Sequence, residues 1–122
     1  MGIRRIVPNI VSSHPDLCRE FYAGFLGLNV GMDMGWIVTY VSPDNPTAQI
    51  SLVRGDRPSV PDPSMTLSIE VADIDTAHRD AVARGYSIVY PLTSEPWGVR
   101  RFHVADPNGV VINVMCHQSQ SS

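Results

Sequence analysis

The sequence predicts an α+β chain made of two copies of one module, each a strand, a helix and three further strands. Three observations lead there. Apolar and polar residues alternate with the period of strands in several short runs. Two stretches carry apolar residues at helical spacing, each closed by a glycine. The same order of elements then recurs on either side of a proline-rich crossing at residues 55–64. The modules span about residues 1–57 and 64–117 of a single domain, and 122 residues suffice for a genuine core without staples.

Ile3 to Val11 reads as the first strand, with Pro8 where its missing N–H is not needed. Ser13-His14-Pro15-Asp16 looks like a capping box with proline in the first helical turn. Leu17, Phe21 and Phe25 recur every fourth residue, Cys18 and Tyr22 widen the stripe, and Gly27 stops the helix. Leu28 to Met34 is a poor strand interrupted by Gly31; Trp36 to Val41 and Ala48 to Arg54 are better ones, joined by a turn at residues 42–46. Pro58, Pro61 and Pro63 mark the crossing as a stiff connection.

Met65 to Val71 opens the second module. Asp73 caps a helix whose buried stripe is Ile74, Ala77, Ala81 and Val82, and Gly85 ends it. Ser87 to Tyr90 is a strand, Pro91 to Gly98 a loop, and Arg100 to Met115 a hairpin turning at Asp106-Pro107-Asn108-Gly109. Beyond Cys116 the chain reads as a frayed polar tail.

Composition narrows the function. The 43% hydrophobic and 17% charged content is that of an ordinary globule, and a net charge of −3 without a basic cluster argues against nucleic acid. No apolar run reaches membrane-spanning length, and Met1 leads directly into a strand pattern, so the cytoplasm is the expected compartment. Cys18 and Cys116 fit no metal spacing and are expected as reduced thiols.

Side chains alternate across a strand, so parity sorts the faces. Asn9, Gln49, Ser51, Thr66, Ser68, Glu70 and Asn113 fall opposite the apolar faces, and a bulge at Gly109 would set His103 opposite Asn113. Each unsatisfied buried polar group costs roughly 1–3 kcal/mol. Seven or eight of them would consume a typical stability of about 5–15 kcal/mol. The polar faces must therefore meet water, each other or a ligand.

Phe21-Tyr22 with Leu26-Gly27-Leu28, and Glu95-Pro96-Trp97-Gly98 through Phe102 with Asp106-Pro107-Asn108-Gly109, resemble the two module signatures of the vicinal oxygen chelate superfamily, which groups glyoxalase, bleomycin-resistance and extradiol dioxygenase proteins. The resemblance covers about Ile3 to His117. It implies paired βαβββ modules with curved mixed sheets around a central cup, the glyoxalase/bleomycin-resistance fold, and assembly as a homodimer, side by side or strand-exchanged. It also implies four metal positions in the metal-dependent members, which fall here on Val7, Ser51, Thr66 and Asn113. Transition metals favour imidazole, carboxylate or thiolate, so neither a metal nor another cofactor is expected.

The resulting expectation is a metal-free small-molecule binding protein, one use being sequestration of a toxic or antibiotic compound. Its polar floor would be Asn9, Gln49, Ser51, Thr66, Ser68, Glu70, His103 and Asn113. Trp36 and Trp97 read equally as pocket walls or core, and Arg101 as an anion partner or an exposed arginine. The alternative is a lyase, isomerase or dioxygenase using His103 and Glu70 as an acid/base pair, against which His103 reads as a group that merely polarises a ligand. No Gly-x-Ser-x-Gly elbow or phosphate-binding glycine loop is present in the sequence.

Overall fold

The computed structural model describes residues 2–56 and 66–118. The chain divides into two compact units, Met1–Ser59 and Val60–Ser122. Pro58, Pro61, Pro63 and Met65 lie outside the described residues, as does the end of the tail from residue 119.

The first unit holds β1 (Asn9–Ser12), α1 (Pro15–Arg19) continued by a π-helical turn (Glu20–Phe25), β2 (Asn29–Asp33), β3 (Ile37–Val41) and β4 (Gln49–Arg54). Its strands form one mixed sheet in the order β1-β4-β3-β2, with β1 parallel to β4. The expected strand from Ile3 is shorter than read. Before Asn9 only a single bridge joins Ile6 to Ala48, and the Pro8 carbonyl accepts from Ser51 N–H, so proline sits ahead of the regular ladder.

The capping box is also absent. His14 occupies the N-cap without a side-chain bond, and Ser12 Oγ instead accepts the His14 N–H at 3.0 Å. Ser12 lies 3.1 Å from Cys18 Sγ as well, which satisfies a buried serine next to a buried thiol. Leu26 N–H bonds to the Phe21 carbonyl five residues back, widening the helix. The inward face is then Cys18, Phe21, Tyr22 and Phe25, while Leu17, expected in the core, is 52% exposed. The Phe21 ring packs edge-on against Tyr22 at 5.0 Å and Phe25 at 5.3 Å, and Tyr22 reaches Tyr40 of β3 at 5.8 Å.

Gly31 marks the register shift between Val30 and Met32. A Cβ there would stand 2.5 Å from Val41 Cγ2, so any side chain at this position forces that methyl to move.

The second unit repeats the plan: β5 (Thr66–Glu70), α2 (Ile74–Ala83), β6 (Ile88–Ser94), β7 (Val99–Ala105) and β8 (Val111–His117), in the order β5-β8-β7-β6 with β5 parallel to β8. Asp73 caps α2 as expected, accepting the Thr76 N–H at 3.1 Å. Ile74 and Ala81 are buried, but Val82 points outward. α2 covers the face carrying Phe102, Val104, Ile112 and Val114, all fully buried, and His78 meets the Phe102 ring edge-on at 5.1 Å.

Two corrections belong to this unit. The segment read as a loop from Pro91 is strand up to Ser94. The tail continues β8 through His117, and Gln118 N–H bonds to the Gly98 carbonyl. The two hairpin turns share one design, acid-Pro-x-Gly. Glu95 N–H bonds Val99 O and Gly98 N–H bonds Glu95 O; Asp106 N–H bonds Val110 O and Gly109 N–H bonds Asp106 O. The left-handed glycine (φ 83° at Gly109) closes the bulge that sets His103 opposite Asn113, as parity required.

Candidate functional site

The face of the second sheet opposite α2 carries an unbroken polar row. Ser68 registers with Asn113, Asn113 with His103, and His103 with Tyr90, so one line crosses β5, β8, β7 and β6. Asn113 Nδ2 donates to Ser68 Oγ at 3.1 Å. Its Oδ1 is buried without a partner, and so is Nε2 of His103. The His103 and Tyr90 rings lie 5.0 Å apart, tilted by 39°. Burial is the main cause that pulls the His103 pKa below 6.5; the Arg101 charge adds to this and Glu95 opposes it. The imidazole is therefore neutral at neutral pH, with one donor and one acceptor nitrogen.

The next row runs Glu70, Met115, Arg101 and Thr93. Here the two turns diverge in use. Asp106 folds its short carboxylate back onto its own turn, accepting from Asn108 and Val110 N–H at 2.8 Å each. Glu95, one methylene longer, reaches away from its turn to accept the Tyr90 hydroxyl at 2.6 Å. Its side chain is only 9% exposed, and the same oxygen stands 3.6 Å from Arg101 Nε, an ion pair beyond hydrogen-bond length. The Arg101 guanidinium carbon lies over the Tyr90 ring at 5.2 Å and the Trp97 ring at 5.4 Å. Trp97 itself is 63% exposed, so it is a wall of this cluster rather than core.

Glu70 goes elsewhere. It pairs with Nδ1 of His117 at 2.5 Å, β8 intervenes between its strand and that of His103, and it sits one row away. The structure does not bring Glu70 and His103 together as an acid/base pair. The reason is the extended β8, which supplies the carboxylate with a histidine of its own. Thr66 is exposed at the start of β5, beside Val111.

On the first sheet, Asn9, Ser51 and Thr39 form the corresponding row. Ser51 Oγ and Thr39 Oγ1 hydrogen-bond each other at 2.7 Å. Gln49 accepts from Arg5 Nη1 at 2.7 Å and donates to the Pro46 carbonyl at 2.8 Å. These residues line a shallow hollow of about 360 Å³ together with Met32 and Ile37. Trp36 is not part of that lining and is 58% exposed.

Arg5, Thr39, Tyr90, Glu95 and His117 escaped the sequence reading. Parity on β3 would have found Thr39. Tyr90 was missed because parity was not applied to the strand Ser87 to Tyr90, Glu95 by reading Pro91 to Gly98 as loop, and His117 by ending β8 early.

The four positions that the metal-dependent relatives would use do not fit a metal. Val7 has no donor atom, Ser51 is held by Thr39, and Thr66 and Asn113 offer only a hydroxyl and an amide. Among the described residues no group of three or more His, Cys, Asp and Glu converges as a metal site.

A sheet of this topology in each half, with a polar face opposite the helix, defines a class, and comparison with known proteins agrees. The family model of the Glyoxalase/Bleomycin resistance protein/Dioxygenase superfamily matches residues 3–114. The chain belongs to that superfamily. Among solved structures it is similar to a protein of unknown function from Agrobacterium tumefaciens, with 25% identity, a TM-score of 0.79 and 95% of each chain covered. It is also similar to a superfamily member from Sphaerobacter thermophilus (24% identity, TM-score 0.75, covering 95% of this chain and 98% of that one). A glyoxalase-related enzyme from Fulvimarina pelagi shares the fold at 19% identity and a TM-score of 0.75, over 94% of this chain and 89% of that one. No curated protein sequence matches the chain.

Proposed function

We propose that this chain binds a small organic molecule on its polar sheet faces without a resident metal, sequestration of a toxic or antibiotic compound being one use. The observation that carries the reading is the pair of buried, unpartnered atoms on adjacent strands, His103 Nε2 and Asn113 Oδ1. Each such atom costs roughly 1–3 kcal/mol while unsatisfied, a cost that a ligand's own polar groups would recover. Both atoms are shielded from solvent, so a ligand that displaces their cover would meet Asn113 Oδ1 as an acceptor and neutral His103 Nε2 as donor or acceptor by choice of tautomer. Ser68 orients the Asn113 amide, and Tyr90 with Trp97 supplies apolar surface beside the row. The alternative, a lyase, isomerase or dioxygenase working through His103 and Glu70, lacks the contact between those two residues.

Amide and side-chain NMR of the labelled protein, titrated with a library of small polar aromatics, tests the reading. Shifts should cluster on Ser68, Tyr90, Arg101, His103 and Asn113. Perturbations confined to α2, or none from any compound, would overturn it.

A further inference from the structure

We infer that the ligand of this face is a planar organic anion whose carboxylate seats on the terminal Nη edge of Arg101. This names the ligand class for the site proposed above and rests on that reading.

The argument is a census of one side chain. A guanidinium has five N–H donors, and none of those of Arg101 makes a hydrogen bond with a described residue; among those residues its only ionic contact is Glu95, at 3.6 Å from Nε. Yet the side chain is 26% exposed and lies over two aromatic rings, so it is held in place rather than waving in solvent. Structural arginines are fixed by hydrogen bonds. This one is fixed by stacking and a loose ion pair on its Nε side, which leaves the paired Nη groups free. That edge matches a carboxylate bidentately. The rings of Trp97 and Tyr90 beside it offer a surface for the flat body attached to the carboxylate. His103 and Asn113, one row along, then read polar substituents on that body.

Calorimetric titration of the full chain with 2-naphthoate and its neutral isostere 2-naphthamide tests this. The wild-type protein should prefer the carboxylate by about tenfold or more, and less so at high salt. Arg101→Gln should erase the preference, and Arg101→Lys, which keeps the charge without the fork, should retain only part of it. Equal affinity for the two probes in the wild type, or a preference that survives Arg101→Gln, overturns the inference. The wild-type comparison decides even if a variant fails to fold. If neither naphthyl compound binds while neutral fragments still shift His103 and Asn113, the anion assignment fails and the binding face survives; silence from every compound removes both.

Discussion

The Tyr90 hydroxyl donates to Glu95 Oε1 at 2.6 Å, tying the strand β6 to the turn that follows it. Through that bond a hairpin turn joins the Tyr90, Arg101 and His103 cluster. The carboxylate it anchors is the only ionic contact of Arg101 among the described residues, and the Tyr90 ring carries both that guanidinium and His103.

Removing the donor should therefore be felt beyond the turn. Tyr90→Phe is expected to destabilise the protein by about 1.5–3 kcal/mol, the usual range for a hydrogen bond to a charged group. Glu95→Ala, which removes the acceptor, should cost at least as much, and the double variant should cost clearly less than the sum, since both lose one bond. Urea unfolding of the four proteins measures this; simple additivity would mean the bond contributes nothing.

Gly31 is expected to tolerate a side chain poorly. Alanine there would bring its Cβ to 2.5 Å from Val41 Cγ2, and overpacking of this kind costs about 1–3 kcal/mol. Trimming the obstacle with Val41→Ala in the Gly31→Ala background should recover part of the loss. Thermal melts of both variants check the pair, and no recovery would place the strain elsewhere.

His103 gives the fold a pH dependence of definite sign. Its pKa is held below 6.5, chiefly by burial. The unfolded chain takes up this proton first, so the contribution is complete above 6.5 and is lost as the pH falls through the lower folded value. Stability measured against pH should flatten in that window in His103→Gln relative to the wild type. A histidine resonance of His103 titrating above 6.5 would contradict the direction.

Metal content follows from the donors at the four family positions. Protein purified without chelator, incubated with Fe²⁺, Mn²⁺, Zn²⁺ or Ni²⁺ and passed through gel filtration, should emerge without a stoichiometric ion. About one tightly held equivalent by elemental analysis would show that other residues assemble a site.

Much of this architecture was legible in the residues because local rules and tertiary packing agree there. Asp73 sits at a cap, parity puts Ser68 and Asn113 on a polar face, and the Gly109 bulge sets His103 opposite Asn113. Reading failed where a distant partner decides. Pro91 looked like a terminator, yet β6 continues past it as an edge strand, where a missing N–H breaks no ladder bond. Leu17 fitted a regular helix, but a π-helical turn re-phased the buried face. Glu95 looked like a turn residue equivalent to Asp106, and only the reach of its extra methylene distinguishes them.

Each sheet draws all four strands from its own half of the chain. Substitutions in one half thus leave the other's ladder intact, and twins of common plan are free to specialise. The first has turned its hydrophilic groups on one another, Arg5 to Gln49 and Thr39 to Ser51. The second leaves Arg101 Nε, His103 Nε2 and Asn113 Oδ1 without a hydrogen-bond partner among the described residues.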